Sequence, residues 1–437
     1  MTKKNIFDKK KFMNSKNQLV EHPRPYYAWM VFILSVIFSA YTLTLQFSPR
    51  LESILGQDKT QITALIYAMS AFYFSLAFFQ IPIGILIDRF GSRFLPSLGI
   101  IFCSIGAILM SNSETHWGIA MARGIMGFGA AFAFLNGLRI INNWFKSKQF
   151  SYLLGIFIAL SAFLTVLFKM GFNYLEEVLL WRKAMMTVGL SGLIFACVYF
   201  FIVQDSPGGK FSIYSQIKDR KEFWKNIRQV FNASHVWVMG LTIGLMIGPL
   251  FAFETIWAIP FLKTVYKTPL STAIMYNLFF VLSYGIGAIF FGRISTFIGK
   301  RKLFVVLGTA ITLIMLIIII YPPYFGVLIT SICFIILGFA ASNISIGYTI
   351  VHEHNVPQVT ATPIAVVNTF CVLFAAISQS LITVFLELGK QIHNTPEYTT
   401  QQFQTSLIRL PIYLLFALIL SFFIKETYCN QRQSYEN

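Results

Sequence analysis

The sequence predicts an all-α membrane protein, with twelve transmembrane helices arranged as two pseudo-symmetric halves of six. Three observations predict it. Hydrophobic residues make up 56% and charged residues only 12% of the 437 positions, about half the charged share of a soluble domain. The apolar residues, with 46 phenylalanines among them, recur along the whole chain in stretches of about 20, the length that crosses a hydrocarbon core. Finally, segments of the first half reappear 208 positions later.

Taking the elements in order, a basic leader (1–26) precedes the first apolar span, 27–47. That span is too long for a signal-peptide core and lacks a small-residue cleavage site, so it is an uncleaved helix. Further spans fall at 62–87, 95–111, 117–141, 151–171 and 183–203, completing a half over 27–203. Residues 204–234 form a polar linker with Pro207-Gly208-Gly209 and six basic side chains. The second half, 235–425, holds spans at 235–260, 271–292, 303–321, 324–350, 362–387 and 406–425, and a tail covers 426–437. With both termini cytoplasmic, 23 Lys and Arg lie inside and 8 outside, while Arg123, Arg139 and Arg409 fall within spans. The positive-inside rule selects that orientation, in a cell inner membrane.

The net charge of +17 is dispersed over short loops without a continuous basic face, which excludes nucleic acid as a partner. Four of the five cysteines lie within apolar spans, so neither a disulfide framework nor a zinc spacing follows. His352-Glu353-His354 has i, i+2 spacing in a short loop, unlike a helical zinc pair. Glu176-Glu177, beside Arg182 and Lys183, is a solvated outer loop. No metal and no cofactor is expected. Nothing matches a phosphate-binding G-x-x-x-x-G-K-[ST] loop, which excludes ATP-driven transport by this chain, and no nucleophile–base constellation suggests an enzyme.

The most informative motif follows the second span: Gly84, Leu86, Asp88, Arg89, Gly91 and Arg93. It sets a carboxylate at a helix C-terminus, where the macrodipole opposes it, so Asp88 requires a partner from elsewhere. The shift by 208 reaches Gly292, Gly299 and Arg301 but replaces Asp88 by Thr296, and it carries Gln46 onto Glu254. Such correspondence indicates parallel repeats.

These residues resemble the signature G-x-L-x-D-R-x-G-x-R of the major facilitator superfamily. Arg123-Gly124-Ile125-Met126-Gly127-Phe128-Gly129-Ala130-Ala131 in the fourth span, Asn143-Trp144-Phe145 at its exit, and Trp181-Arg182 before the sixth span are similar to that family as well. Gln46-Phe47-Ser48-Pro49 with Ala131-Phe132-Ala133-Phe134 resembles a branch of intracellular bacteria that includes amino-acid uptake permeases. Proton-coupled drug antiporters of the family carry a Gly-Pro step in the fifth span. Residues 151–171 have Gly155 and Gly171 but no proline, which disfavours efflux.

The resemblance implies a central cavity lined by spans 1, 4, 7 and 10, opened alternately to each side. Ionisable residues in such spans mark a pathway. Arg123 and Glu254 stand about two turns from the outer surface on spans 4 and 7. They are expected to pair when the cavity is empty and to part when a substrate carboxylate takes the arginine and a proton takes the glutamate. Tyr41, Gln46, Asn136, Asn343 and Tyr348 are further cavity candidates, each with helix-to-helix hydrogen bonding as its competing role. Tyr73, Gln80, Asn277, Tyr284, Asn368 and Gln379 lie on flanking spans. Asp88, with Gly84, Arg89, Gly91, Arg93 and Arg139, is the expected gate. By resemblance, Thr362-Pro363 opens the eleventh span beside Asp88, with Arg139 or Arg93 as further partner.

The expected function is secondary transport across the cytoplasmic membrane: proton-coupled symport of an amino acid or another small zwitterionic or anionic nutrient. The alternatives are export of a siderophore or drug, and a receptor that kept the fold without turnover. The expected partners are a small-molecule substrate, protons and membrane lipid, with the chain acting as a monomer.

Overall fold

The structure, a computed structural model, describes residues 25–47, 54, 62–205, 220–322, 326–357, 359–393 and 398–431. The lysines of the leader, Ser48-Pro49, Pro207-Gly208-Gly209 and the end of the tail lie outside the described residues. Within them, no strand occurs. Lipid offers no hydrogen-bonding partner, so a spanning backbone must satisfy itself, and helices do so within one segment.

The first four crossings are α1 (Pro25–Phe47), α2 (Ile62–Phe90), α3 (Phe94–Ser111) and α4 (His116–Trp144). Next comes α5 (Phe150–Ile202), 53 residues that would extend about 80 Å if straight, far beyond a core of about 30 Å. At Leu180 the backbone leaves the helical region (φ 66°, ψ 156°), so α5 supplies both the fifth and the sixth crossing. The sequence placed Glu176 in a solvated loop. Instead the helix continues through it and Glu176 is buried, because the turn between crossings is a single break four residues later.

The second half opens with α6 (Arg220–Asn232), followed at once by the seventh crossing: α7 (Ser234–Ala252), a π-helical turn (Phe253–Trp257) and α8 (Ala258–Val265). The eighth and ninth crossings are α9 (Leu270–Ile298) and α10 (Lys302–Ile320). The tenth is interrupted at Ser342-Asn343 between α11 (Val327–Ala341) and α12 (Ile344–His354). His352, Glu353 and His354 therefore sit in the last helical turn, not in a loop as the sequence suggested, since no breaker intervenes before Pro357. The chain closes with α13 (Ala361–His393), α14 (Thr400–Leu407) and α15 (Arg409–Ser421).

The halves meet along two seams related by the repeat: α2 packs on α13, and α5 packs on α9. Small residues make both approaches feasible. A Cβ on Gly84 would lie 2.6 Å from the Ala365 Cβ, and one on Gly155 would lie 2.4 Å from the Ala288 carbonyl oxygen. Exposed side chains such as Phe78, Phe201, Leu328 and Phe423 form the apolar exterior that lipid covers. Alternation of crossings puts Asp88 and Arg123 on opposite faces, here the Asp88 face and the Arg123 face.

Candidate functional site

On the Asp88 face, the carboxylate at the end of α2 is fully enclosed. Its Oδ1 accepts from Arg139 Nη1 at 2.5 Å and from the Ala361 backbone N–H at 3.0 Å. Its Oδ2 accepts from the Thr362 N–H at 2.8 Å and the Thr362 hydroxyl at 2.7 Å. Arg139 Nη2 also donates to the Asp88 carbonyl at 3.2 Å. The unfavourable dipole at the end of α2 is thus offset by the favourable one at the start of α13. Since α2 and α13 belong to different halves, the arrangement latches the halves together. Arg93 takes no part. Its Nε donates to the Phe200 carbonyl at 3.0 Å and its guanidinium stacks 4.9 Å from the Phe200 ring. Arg89 lies over Phe90, 5.2 Å from the ring centroid. Gly91 adopts φ 85°, and a Cβ there would come within 2.3 Å of Asp205 Oδ1, the oxygen that caps α3 by accepting from the Ser92 and Arg93 N–H groups. Only glycine fits both demands.

The second half builds a related latch from different residues. Arg301 occupies the place of Arg93, and Glu426 accepts from the Arg301 and Lys302 N–H groups at 2.7 and 2.9 Å as Asp205 does for α3. Arg301 turns inward: Nη2 reaches Glu353 at 2.8 Å, while Nη1 donates to Ser295, Thr296 and Ser151 at 2.5, 2.9 and 3.3 Å. Thr427 from the tail donates to the other Glu353 oxygen. Ser151 opens α5 in the other half, and beside it Phe150 stacks on His352 at 3.7 Å. Sequence reading missed Glu353 and Arg301. The available signal was the unbroken helical stretch from Asn343 to His354, which carries Glu353 into the helix instead of a loop.

On the Arg123 face, Arg123 is enclosed and donates from Nη1 to the Leu45 carbonyl at 2.6 Å and from Nη2 to the Gln46 carbonyl at 2.9 Å. Its guanidinium stacks 4.9 Å from the Phe72 ring. These are among the last carbonyls of α1, which have no intrahelical partner, so Arg123 caps that helix with charge of the favourable sign. Gln46 Nε2 donates to the Tyr73 hydroxyl at 2.9 Å. Tyr73 also packs against Ala375 and Ala376 of the second half.

Glu254 occupies the π turn, a distortion frequent at functional positions. Asn277 Nδ2 donates to the Glu254 backbone carbonyl at 3.3 Å. Glu254, Asn277, Phe253, Phe280 and Phe334 border a cavity of about 10 Å³, close to the volume that a single water requires. Arg123 and Glu254 therefore do not form the direct ion pair that the sequence suggested. The carbonyls of α1 take the guanidinium.

The other candidates divide. Tyr41 shares a hydrogen bond with Ser104 at 3.3 Å and donates to the Val188 carbonyl, and Asn136 Nδ2 donates to the Tyr199 hydroxyl at 2.5 Å. Both stay within the first half. Asn343 is enclosed against Gly308 in the second half, with neither amide atom partnered among the described residues. These three do not face the seam. Tyr348 does: its hydroxyl donates to Asn368 Oδ1 at 2.7 Å while its ring meets Phe134 of the other half at 4.9 Å between centroids. Tyr73 and Asn368, placed by the sequence only on flanking spans, are thus central to two polar layers.

The capping geometry makes a stability prediction. Arg123→Met is expected to cost about 3 kcal/mol of folded stability, because two charged hydrogen bonds are lost and two carbonyls are left in a lipid-enclosed interior. Arg123→Lys, which reaches one carbonyl instead of two, should recover roughly half of it. Thermal unfolding of the purified protein in detergent measures both; equal stability of all three forms would exclude a capping role.

The Major Facilitator Superfamily profile matches residues 27–379. The nitrate/nitrite transporter NrtP of Picosynechococcus sp. is 24% identical over 230 residues, 45% of this chain and 42% of the relative. The probable galactarate/D-glucarate transporter GudP of Bacillus subtilis is 27% identical over 189 residues, 42% of this chain and 41% of the relative. The chain thus spans about two fifths of the length of these curated relatives. Among solved structures, the proton:xylose symporter XylE superposes with a TM-score of 0.71 at 14% identity, covering 93% of this chain and 97% of that one. A bacterial homolog of the human lysosomal transporter Spinster gives 0.64 at 15%, with 91% and 97% covered. Profile, fold and the paired latches agree: the chain belongs to the major facilitator superfamily.

Proposed function

We propose that this chain is a secondary transporter that carries a small anionic or zwitterionic nutrient inward across the cytoplasmic membrane by alternating access, driven by protons. The observation that carries the reading is the placement of ionisable groups on the seam between halves. Asp88 and Arg139 hold the N-terminus of α13 on one face. On the other face Tyr73, bonded to Gln46 beside Arg123, packs against Ala375 and Ala376 across the seam. Such groups are costly in a membrane interior, and their expected use is along a solute or proton path. In this reading the Asp88 face is cytoplasmic, as the distribution of Lys and Arg suggests. Glu254 is the coupling acid, and Tyr348, Asn368 and Tyr284 face the solute at the centre. The relatives named above carry nitrate, nitrite and sugar diacids, which supports an anion; amino acids fall within the same chemistry when the carboxylate is the recognised group.

Counterflow with the purified protein in liposomes tests this. Radiolabelled sugar acids, short organic acids, nitrate and amino acids are offered in turn against a saturating internal pool. At least one class should exchange at no less than tenfold the protein-free rate and accumulate under an inward proton gradient. Absence of exchange for every anion and zwitterion, with the protein folded, would refute the substrate class.

A further inference from the structure

Helix α6 is strongly amphipathic. Its apolar side, Phe223, Ile227 and Val230, packs into a cluster with Val356, Val359 and Val366 of the second half and Ile81 and Ile85 of α2 in the first. That cluster therefore reaches across the seam between halves on the Asp88 face. Its remaining surface is asymmetric. Lys221, Trp224, Lys225, Arg228 and Phe231 follow one another at i, i+3 and i+4 spacing and form one stripe. Glu222, Asn226 and Gln229 form the stripe on the opposite flank. Lys221, Trp224, Lys225 and Arg228 are exposed.

The depth of this stripe is set by connectivity. Only Ala233 separates α6 from α7, a membrane-crossing helix that starts at Ser234, so α6 is held at the membrane surface. Trp237, in the first turn of α7, donates from its indole to the Phe231 carbonyl at 2.8 Å and is itself exposed. Trp224 and Trp237 thus stand on the flank of α6 that carries the cations. Tryptophan favours the headgroup level, and lysine or arginine beside it favours anionic headgroups.

We propose that the stripe Lys221, Trp224, Lys225, Arg228 and Phe231 binds anionic phospholipid on the Asp88 face and thereby holds the halves together there. The cluster beneath α6 joins residues of both halves only while α2 and the start of α13 are adjacent, so lipid that fixes α6 against the membrane favours the latched arrangement. An acidic protein partner is the competing occupant. Lipid is favoured because the aromatic side chains flank the cations on the side continuous with α7. The proposal does not depend on which face is cytoplasmic.

The full chain is reconstituted in phosphatidylcholine containing brominated phosphatidylglycerol, or the same fraction of brominated phosphatidylcholine, in both leaflets. Trp224→Phe is subtracted to isolate the Trp224 fluorescence. The anionic lipid should quench that component several-fold more strongly. Each of Lys221→Gln, Lys225→Gln and Arg228→Gln should lower its apparent affinity by roughly fivefold. Because these side chains face outward, the triple variant should keep wild-type folded yield. Equal quenching by the two lipids, or none, would overturn the binding site and point to water or a protein partner. For the second part, a cysteine at Val356, enclosed beneath α6, is alkylated and read by peptide mass. Its modification should slow several-fold in phosphatidylglycerol membranes and lose lipid dependence in the triple variant. Lipid-independent alkylation of the wild-type background would overturn the latching role. Neither readout uses a transported solute, so failure here is distinct from failure of the substrate reading.

Discussion

Asp88→Asn should reduce the maximal transport rate by more than tenfold while leaving substrate affinity within about threefold. The substitution removes the charge that Arg139 and the N-terminus of α13 jointly hold, and Arg139 is then enclosed without its carboxylate. Breaking a buried pair on one side costs roughly 3–5 kcal/mol. That cost falls only on the arrangement in which α2 and α13 touch, so the equilibrium shifts by about 10²- to 5 × 10³-fold toward the separated one. An imbalance of that size leaves the return step slow. Kinetics of counterflow, with separate determination of affinity and maximal rate, would measure it. The further change Arg139→Gln in the same protein removes the stranded cation and should restore folded yield without restoring rate. Wild-type transport by Asp88→Asn would show that the latch is not part of the cycle.

Glu254→Gln should abolish accumulation driven by a pH gradient while exchange of substrate across the membrane survives within about threefold. If one proton accompanies each neutral turnover, one pH unit supports about tenfold accumulation; the variant should reach no more than equilibration. The amide keeps the shape of the carboxyl but cannot carry a proton. The structure adds a second expectation. Arg123 is capped on α1 and does not pair with Glu254, so the stability effects of changing both to Gln should add to within about 0.5 kcal/mol. A direct ion pair would instead show strong coupling, with the double variant recovering the loss. Full gradient-driven accumulation in Glu254→Gln would eliminate the coupling role.

Much of this architecture was legible in the sequence for a simple reason. In lipid, length and apolarity alone decide where a helix crosses, so spans such as 95–111 and 303–321 appear within a residue or two of α3 and α10. The surroundings of Asp88 were legible as well. An aspartate at a helix C-terminus calls for positive partners, and Thr362-Pro363 offers a helix N-terminus, which the bonds from Ala361, Thr362 and Arg139 supply.

What the sequence by itself determined, then, was the set of crossings, their repeat and the residue types that cannot rest in lipid unaided. Only the tertiary structure decided which of those residues meet. Arg123 has two uses that look alike in one dimension, cavity cation and helix cap, and only the nearness of the last carbonyls of α1 selects the second. The π turn that carries Glu254 toward Asn277 has no local signature either, and the helical stretch that carries Glu353 does not by itself name Arg301 as its partner. Each arises because buried polar groups must be partnered, and the available partners are fixed by which helices pack together.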